Sequence, residues 1–226
     1  MANKFRPLIY AWIIFIFSEV VAASMIFCLY NFDIDEEGWI QKKSLYKTHV
    51  LGMPISLIII NGHGMVIFRL LPGLKTRVVK YIHGFIHTIV ICLFLYLCHV
   101  IYIFKDKTEH PVVRLGDFHS NQAYLTMGIY VLQWFSACFV FVYMYSNQRR
   151  RKIFAAWHNF IGICILQLTI ATSCCMLQWE EHHSLVLETT PPLHGAGASA
   201  LMVLYGLLIN VIVLNPFLEW PLVGPI

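Results

Sequence analysis

VKYIHGFIHTIVICLFLYLCHVIYIF, the stretch Val79–Phe104, holds one cation, Lys80, and no acid in 26 residues. Roughly 20 predominantly apolar residues are needed to cross a bilayer as a helix, and a half-buried strand would instead alternate polar and apolar side chains over about 4–8 residues. The stretch therefore predicts a membrane-spanning helix. Five further runs have the same character: Leu8–Tyr30, Val50–Leu71, Ala123–Tyr145, Ile153–Leu177 and Ala196–Leu214. The 226 residues are 58% hydrophobic and 12% charged, far from the balance of a soluble domain. The expected fold class is an all-α membrane protein of six transmembrane helices. Residues 1–226 form one domain, because the connections leave no room for a soluble one.

The first run follows Lys4 and Arg6 and passes through Val21-Ala22-Ala23-Ser24, a pattern that a cleavable signal peptide can share. Its apolar character resumes through Met25–Tyr30, too long for such a segment, so a retained helix is expected. Lys4, Arg6, Arg69, Lys75, Arg77, Lys80, Arg149, Arg150, Arg151 and Lys152 fall on one side of the membrane in this scheme. Lys42, Lys43, Lys47, Lys105, Lys107 and Arg114 fall on the other. The positive-inside rule then puts both termini in the cytoplasm. The net charge of +4 is accounted for by this topology, which makes the lipid bilayer the expected partner and nucleic acid an unexpected one.

His49, His83, His119 and His158 stand near the starts of the second to fifth runs. Successive helices run in opposite directions, so His49 and His119 come to the external end and His83 and His158 to the cytoplasmic end. Ionisable side chains inside a membrane are rare and mark functional sites. Two histidines at each end would fill both axial positions of a haem iron, an arrangement for electron transfer because no open position remains. Facing helices of a bundle are a usual place for such a cofactor. Proton relay and polar packing remain the alternatives. The seven cysteines all lie within apolar runs, and no Cys-x-x-Cys-His occurs, so any haem is expected to be non-covalent.

The four histidines are 34, 36 and 39 residues apart, and other residues share their register. Gln133-Trp134 comes fourteen residues after His119. His158 is followed by Gly162 as His-x-x-x-Gly, Lys80 and His83 sit in Lys80-x-x-His83-x-x-x-His87, and Gly62 and Arg69 fall in the second run. Over about residues 49 to 175 this set resembles the cytochrome b561 family of ascorbate-dependent transmembrane electron carriers. The chain departs from the family at His49-Val50 (usually His-Pro), at Gly62-His63 (usually Gly-Glu) and around His119. The resemblance implies that helices two to five form a four-helix bundle holding two b-type haems, one between His83 and His158 and one between His49 and His119. It also implies a homodimer.

The resemblance implies substrate contacts as well. Ascorbate is a monoanion, and a cationic pocket concentrates anions. Lys80, with Arg77, Arg150 and Arg151 nearby, is the expected cytoplasmic ascorbate site. Outside, the acceptor would be monodehydroascorbate or a ferric chelate, with His110, Asp106, Glu109 and Asp117 close by. Plasma, secretory-vesicle and endolysosomal membranes are all compatible. His87 is expected to yield the ligand role to His83, while His63 has either a polar or a packing role and Glu19 should face the bundle or a polar cavity. A rival class is a small transporter or channel whose histidines relay protons or bind a metal ion. A non-catalytic scaffold that docks partners on its basic loops is another.

Overall fold

The structure is a computed structural model, and it describes residues 6–31, 40–106, 113–143, 148–186 and 193–215. These residues form six long helices with no strand among them. We number them α1 (Arg6–Tyr30), α2 (Ile40–Pro54, continuing through Ile55–Ile60 and Asn61–Leu70), α3 (Thr76–Asp106), α4 (Val113–Cys138, continuing through Phe139–Tyr143), α5 (Gln148–Val186) and α6 (Leu193–Leu214). Each contains a segment long and apolar enough to cross a membrane: Pro7–Tyr30, Ser44–Leu70, Thr76–Ile103, His119–Phe141, Arg149–Gln178 and His194–Leu214. Most helices begin before or end beyond the predicted runs. Hydropathy marks where a helix meets lipid, whereas backbone hydrogen bonding carries it further.

α1 shows how apolar sequence on all sides becomes two faces. Ala11, Ser18, Ala22, Met25 and Leu29 are buried at helical spacing, while Ile9, Ile13, Ile16 and Val20 are exposed. A helix apolar all round suits lipid on one side and protein on the other. α1 packs chiefly on α6, α6 packs on α5, and α2 packs on α3 and α4 on α5. One core cluster joins Met25, Ile58, Leu166, Met202, Tyr205 and Ile209, tying α1 and α6 to α2 and α5. A second draws Leu57 from α2, Val90 and Phe94 from α3, Met127 and Tyr130 from α4 and Ile165 from α5.

α2 widens into a π-helical segment, Ile55–Ile60, just after Pro54. Proline has no N–H to give and its ring crowds the carbonyl one turn earlier, and a local π-bulge is a common way of absorbing that fault. The widened turn is used for packing between helices. Ser56 Oγ donates to the Val90 carbonyl of α3 at 3.2 Å, and Tyr205 of α6 donates to the Ile59 carbonyl at 3.1 Å. α4 also ends in a π segment, Phe139–Tyr143.

Candidate functional site

The four histidines fall at two levels of the bundle formed by α2–α5. At the first, His83 of α3 donates from Nδ1 to the carbonyl of Gly64 on α2 at 2.8 Å. The rings of His83 and His158 are 6.0 Å apart between centroids, which brings α3 and α5 together. At the second level His49 Nδ1 donates to the Leu97 carbonyl of α3 at 3.3 Å, and His119 Nδ1 donates to the Thr172 carbonyl of α5 at 3.1 Å. Leu97 lies 14 residues after His83, and Thr172 lies 14 after His158. At about 1.5 Å per residue the two levels are therefore ~21 Å apart along both helices. The second core cluster, Leu57, Val90, Met127 and Ile165 among it, lies between them as an apolar layer.

A carbonyl only accepts, so the ring nitrogen facing it must carry the proton. In His49, His83 and His119 that fixes the proton on Nδ1 and leaves Nε2 with its lone pair. This is the tautomer in which histidine binds a metal, and a backbone carbonyl behind the ring is a usual support for such a ligand. His158 differs: its Nδ1 is buried and has no partner among the described residues.

The first level fits a haem on three observations. Two imidazoles bound to one iron at ~2 Å each would have ring centres about 6 Å apart, matching the separation of His83 and His158. Aromatic rings border the pair, with Phe68 5.3 Å from His83, and Phe141 and Phe154 5.9 and 6.3 Å from His158. Gln133 Oε1, Trp134 Nε1 and His158 Nδ1 are buried with no partner among the described residues, and the indole N–H is a donor that would suit the carboxylate of such a group. At the second level Gln122 Oε1, three residues from His119, is also buried with no partner among the described residues.

The register around His119 is also explained. Gln133 Nε2 donates to the backbone carbonyl of His158 at 2.9 Å, so Gln133 steadies the opposing helix. Gly162 lets this happen, since a Cβ there would stand 3.3 Å from that same Nε2. His87 is 4.3 Å from the His83 ring, but its Nδ1 is 2.6 Å from the hydroxyl of Tyr130, which in turn donates to Asn61 Oδ1 at 3.3 Å. His87 Nδ1–H therefore serves a network across α2, α3 and α4.

Of the predicted cationic contacts, the structure brings two together. Lys80 Nζ lies 5.8 Å above the ring of Phe141, and Arg151 donates to the Phe141 carbonyl at 3.2 Å. Phe141 in turn touches His158, so both charges approach the first level. Arg77 and Arg150 are exposed on α3 and α5. His110 and Glu109 lie outside the described residues, as do the side chains of Asp106 and Asp117. Glu19, given no partner by sequence, meets His63 with Oε1 2.9 Å from Nε2. Gly64, Tyr130, Phe68, Phe141 and Phe154 went unrecognised in the sequence. Nothing in one sequence separates Phe141 from the other phenylalanines, and a glycine valued for its carbonyl leaves no side-chain signal.

Comparison with known proteins bears on the same helices. Residues 48–183, which contain all four histidines, match the family described as eukaryotic cytochrome b561. The chain is 27% identical over 132 residues to a probable ascorbate-specific transmembrane electron transporter 2 of Oryza sativa subsp. japonica, covering 58% of this chain and 55% of that protein. It is 26% identical, with the same coverage, to ascorbate-specific transmembrane electron transporter 1 of Zea mays. It is 24% identical over 128 residues to the transmembrane ascorbate-dependent reductase CYB561 of Homo sapiens, covering 57% of this chain and 50% of that one. The chain thus spans about half the length of the curated relatives it matches. With the match covering more than half of its residues and six helices able to cross a membrane, the chain is a multi-pass membrane protein of the eukaryotic cytochrome b561 family.

Proposed function

We propose that this protein carries single electrons across a membrane, from ascorbate on the cytoplasmic side to monodehydroascorbate or a ferric chelate on the other. The observation that carries the proposal is the pair of histidine levels ~21 Å apart, in which three rings give their Nδ1–H to a backbone carbonyl, the tautomer in which Nε2 can bind a metal. His83 with His158, and His49 with His119, would each hold one non-covalent b-type haem. Bound there, the haem would supply a reversible one-electron couple.

The chain's own residues supply binding, orientation and exclusion of water. Lys80 and Arg151 converge on Phe141 beside His158 and make a cationic pocket for the ascorbate anion. Arg77 and Arg150 extend its basic rim. Gly64 and Gln133 fix the His83 ring and the His158 backbone. The apolar layer of Leu57, Val90, Met127 and Ile165 keeps water out between the levels. An electron leaving a negative cytoplasm gains ~2.3 kcal/mol per 100 mV, so the membrane potential favours this direction.

The whole-chain assignment as one domain, the cytoplasmic termini and a homodimer belong to the same proposal, and the basic residues around Lys80 and Arg149–Lys152 support the orientation of the termini. The test is the visible spectrum of the purified protein. It should show two b-type haems per chain, reduced by ascorbate. A folded protein that takes up no haem would refute the reading.

A further inference from the structure

Glu19 and His63 lie outside the pairs described above. Glu19 is in the middle of the α1 span, and its Oε1 is 2.9 Å from Nε2 of His63 on α2, with the side chains 37% and 33% exposed respectively. An ionisable pair within a spanning segment is costly and marks function more often than packing. α1 is already held by apolar contacts, Met25 and Leu29 among them. A carboxyl group and an imidazole can each take up a proton, so the pair is a place where protons can be held.

The pair is close to the first histidine level, because His63 immediately precedes Gly64, whose carbonyl accepts from His83 Nδ1. Negative charge arriving at that level raises the proton affinity of titratable groups nearby, and the effect is large where the dielectric is low. The groups facing the pair are few. On α1, Phe15 places its ring 5.5 Å from His63, and on α6 the hydroxyl of Tyr205 is spent on the Ile59 carbonyl. On α3, His83 and His87 lie beyond Gly64, and on α5 His158 lies beyond those. Further along α2, the Arg69 guanidinium donates to the Val213 carbonyl at 3.0 Å.

We propose that Glu19 and His63 form a proton-binding site coupled to reduction of the His83 level. When one electron passes from the donor to that level, one proton moves from the adjoining aqueous phase onto the pair. The donor is oxidised by one electron, the level is reduced by one, and the added charges cancel. This rests on the electron-carrier reading above.

The experiment is a redox titration of the full chain with its haems, in lipid nanodiscs, at a series of pH values. Hexaammineruthenium(II), whose one-electron oxidation releases no proton, serves as reductant, and a pH indicator reads proton uptake. The potential of the His83-level haem should fall as pH rises, while that of the His119 level stays flat. Glu19→Gln and His63→Gln should each flatten the slope and lower proton uptake. The exchange Glu19→His/His63→Glu should restore both. A flat profile in the unsubstituted protein, or a slope that survives both single substitutions, overturns the proposal. If a single variant does not fold, the exchange variant and the unsubstituted protein decide it. The carrier reading fails separately, through absence of haem or of reduction by ascorbate.

Discussion

Gly64→Ala puts the construction of the first histidine level to the test with one carbon atom. A Cβ at Gly64 would stand 2.7 Å from His87 Nε2, 2.9 Å from its Cε1 and 3.2 Å from Ile86 Cγ2. Ordinary carbon contacts lie at about 3.5–4.0 Å, so the imidazole must move by ~0.8 Å or more. It has little room to do so, since Nδ1 is held by Tyr130 and the ring lies 4.3 Å from His83. Two energies compete. Alanine is favoured over glycine in a helix by about 0.8–1 kcal/mol, whereas overpacking costs about 1–3 kcal/mol.

The net cost to the fold is then about 0–2 kcal/mol, too little to unfold the protein, and it falls on the ring beside His83. Gly128→Ala is the matched control, because Gly128 is exposed and nothing lies within 4 Å of its Cβ position. Thermal unfolding in detergent, together with reduced-minus-oxidised spectra, reads both effects. Gly64→Ala should weaken or displace the signal of the His83-level haem alone, and Gly128→Ala should change neither signal. If the two variants behave alike in both measurements, the close packing around Gly64 has been misjudged.

Other outcomes follow from the same geometry. His119→Ala and His83→Ala should each remove one haem of two, of different potential, as counted by pyridine haemochrome and redox titration; equal loss of both would break the pairing. Lys80→Ala and Arg151→Ala should each raise KM for ascorbate about twofold to fivefold, since a partly solvated ion pair contributes about 0.5–1 kcal/mol. Arg77→Ala and Arg150→Ala should act more weakly, through a long-range effect that added salt removes; steady-state reduction assays at two ionic strengths would show it. Tyr205→Phe deletes the donor to the Ile59 carbonyl, at a cost of about 1 kcal/mol. That should lower Tm by about 2–4 °C for a chain of this size, and an unchanged Tm would mean that another donor replaces it.

The six helices and the four histidines were legible because both signals are local. An apolar run such as Val79–Phe104 declares its solvent residue by residue, and a histidine in it stands out against the background. The apolar runs missed the helix ends, because α5 continues past Leu177 to Val186, where hydropathy falls but backbone hydrogen bonding does not. They also missed the π segment in α2. Pro54 was visible, but whether a proline breaks, kinks or widens a helix depends on what its neighbours can satisfy, here Ser56 on Val90 and Tyr205 on Ile59.

Sequence by itself determined the membrane-spanning character, the number of spans and the level of each histidine along its helix, since these follow from hydrophobicity and the fixed rise of a helix. Tertiary structure alone decided what each side chain meets. Gly64 is 19 residues from His83, Thr172 is 53 from His119 and Glu19 is 44 from His63. Such contacts depend on how each helix is rotated about its axis, and in segments apolar on every face the sequence carries no stripe that sets that rotation. Packing sets it, and with it the carbonyl that each of His49, His83 and His119 meets and the placing of Lys80 and Arg151 on Phe141.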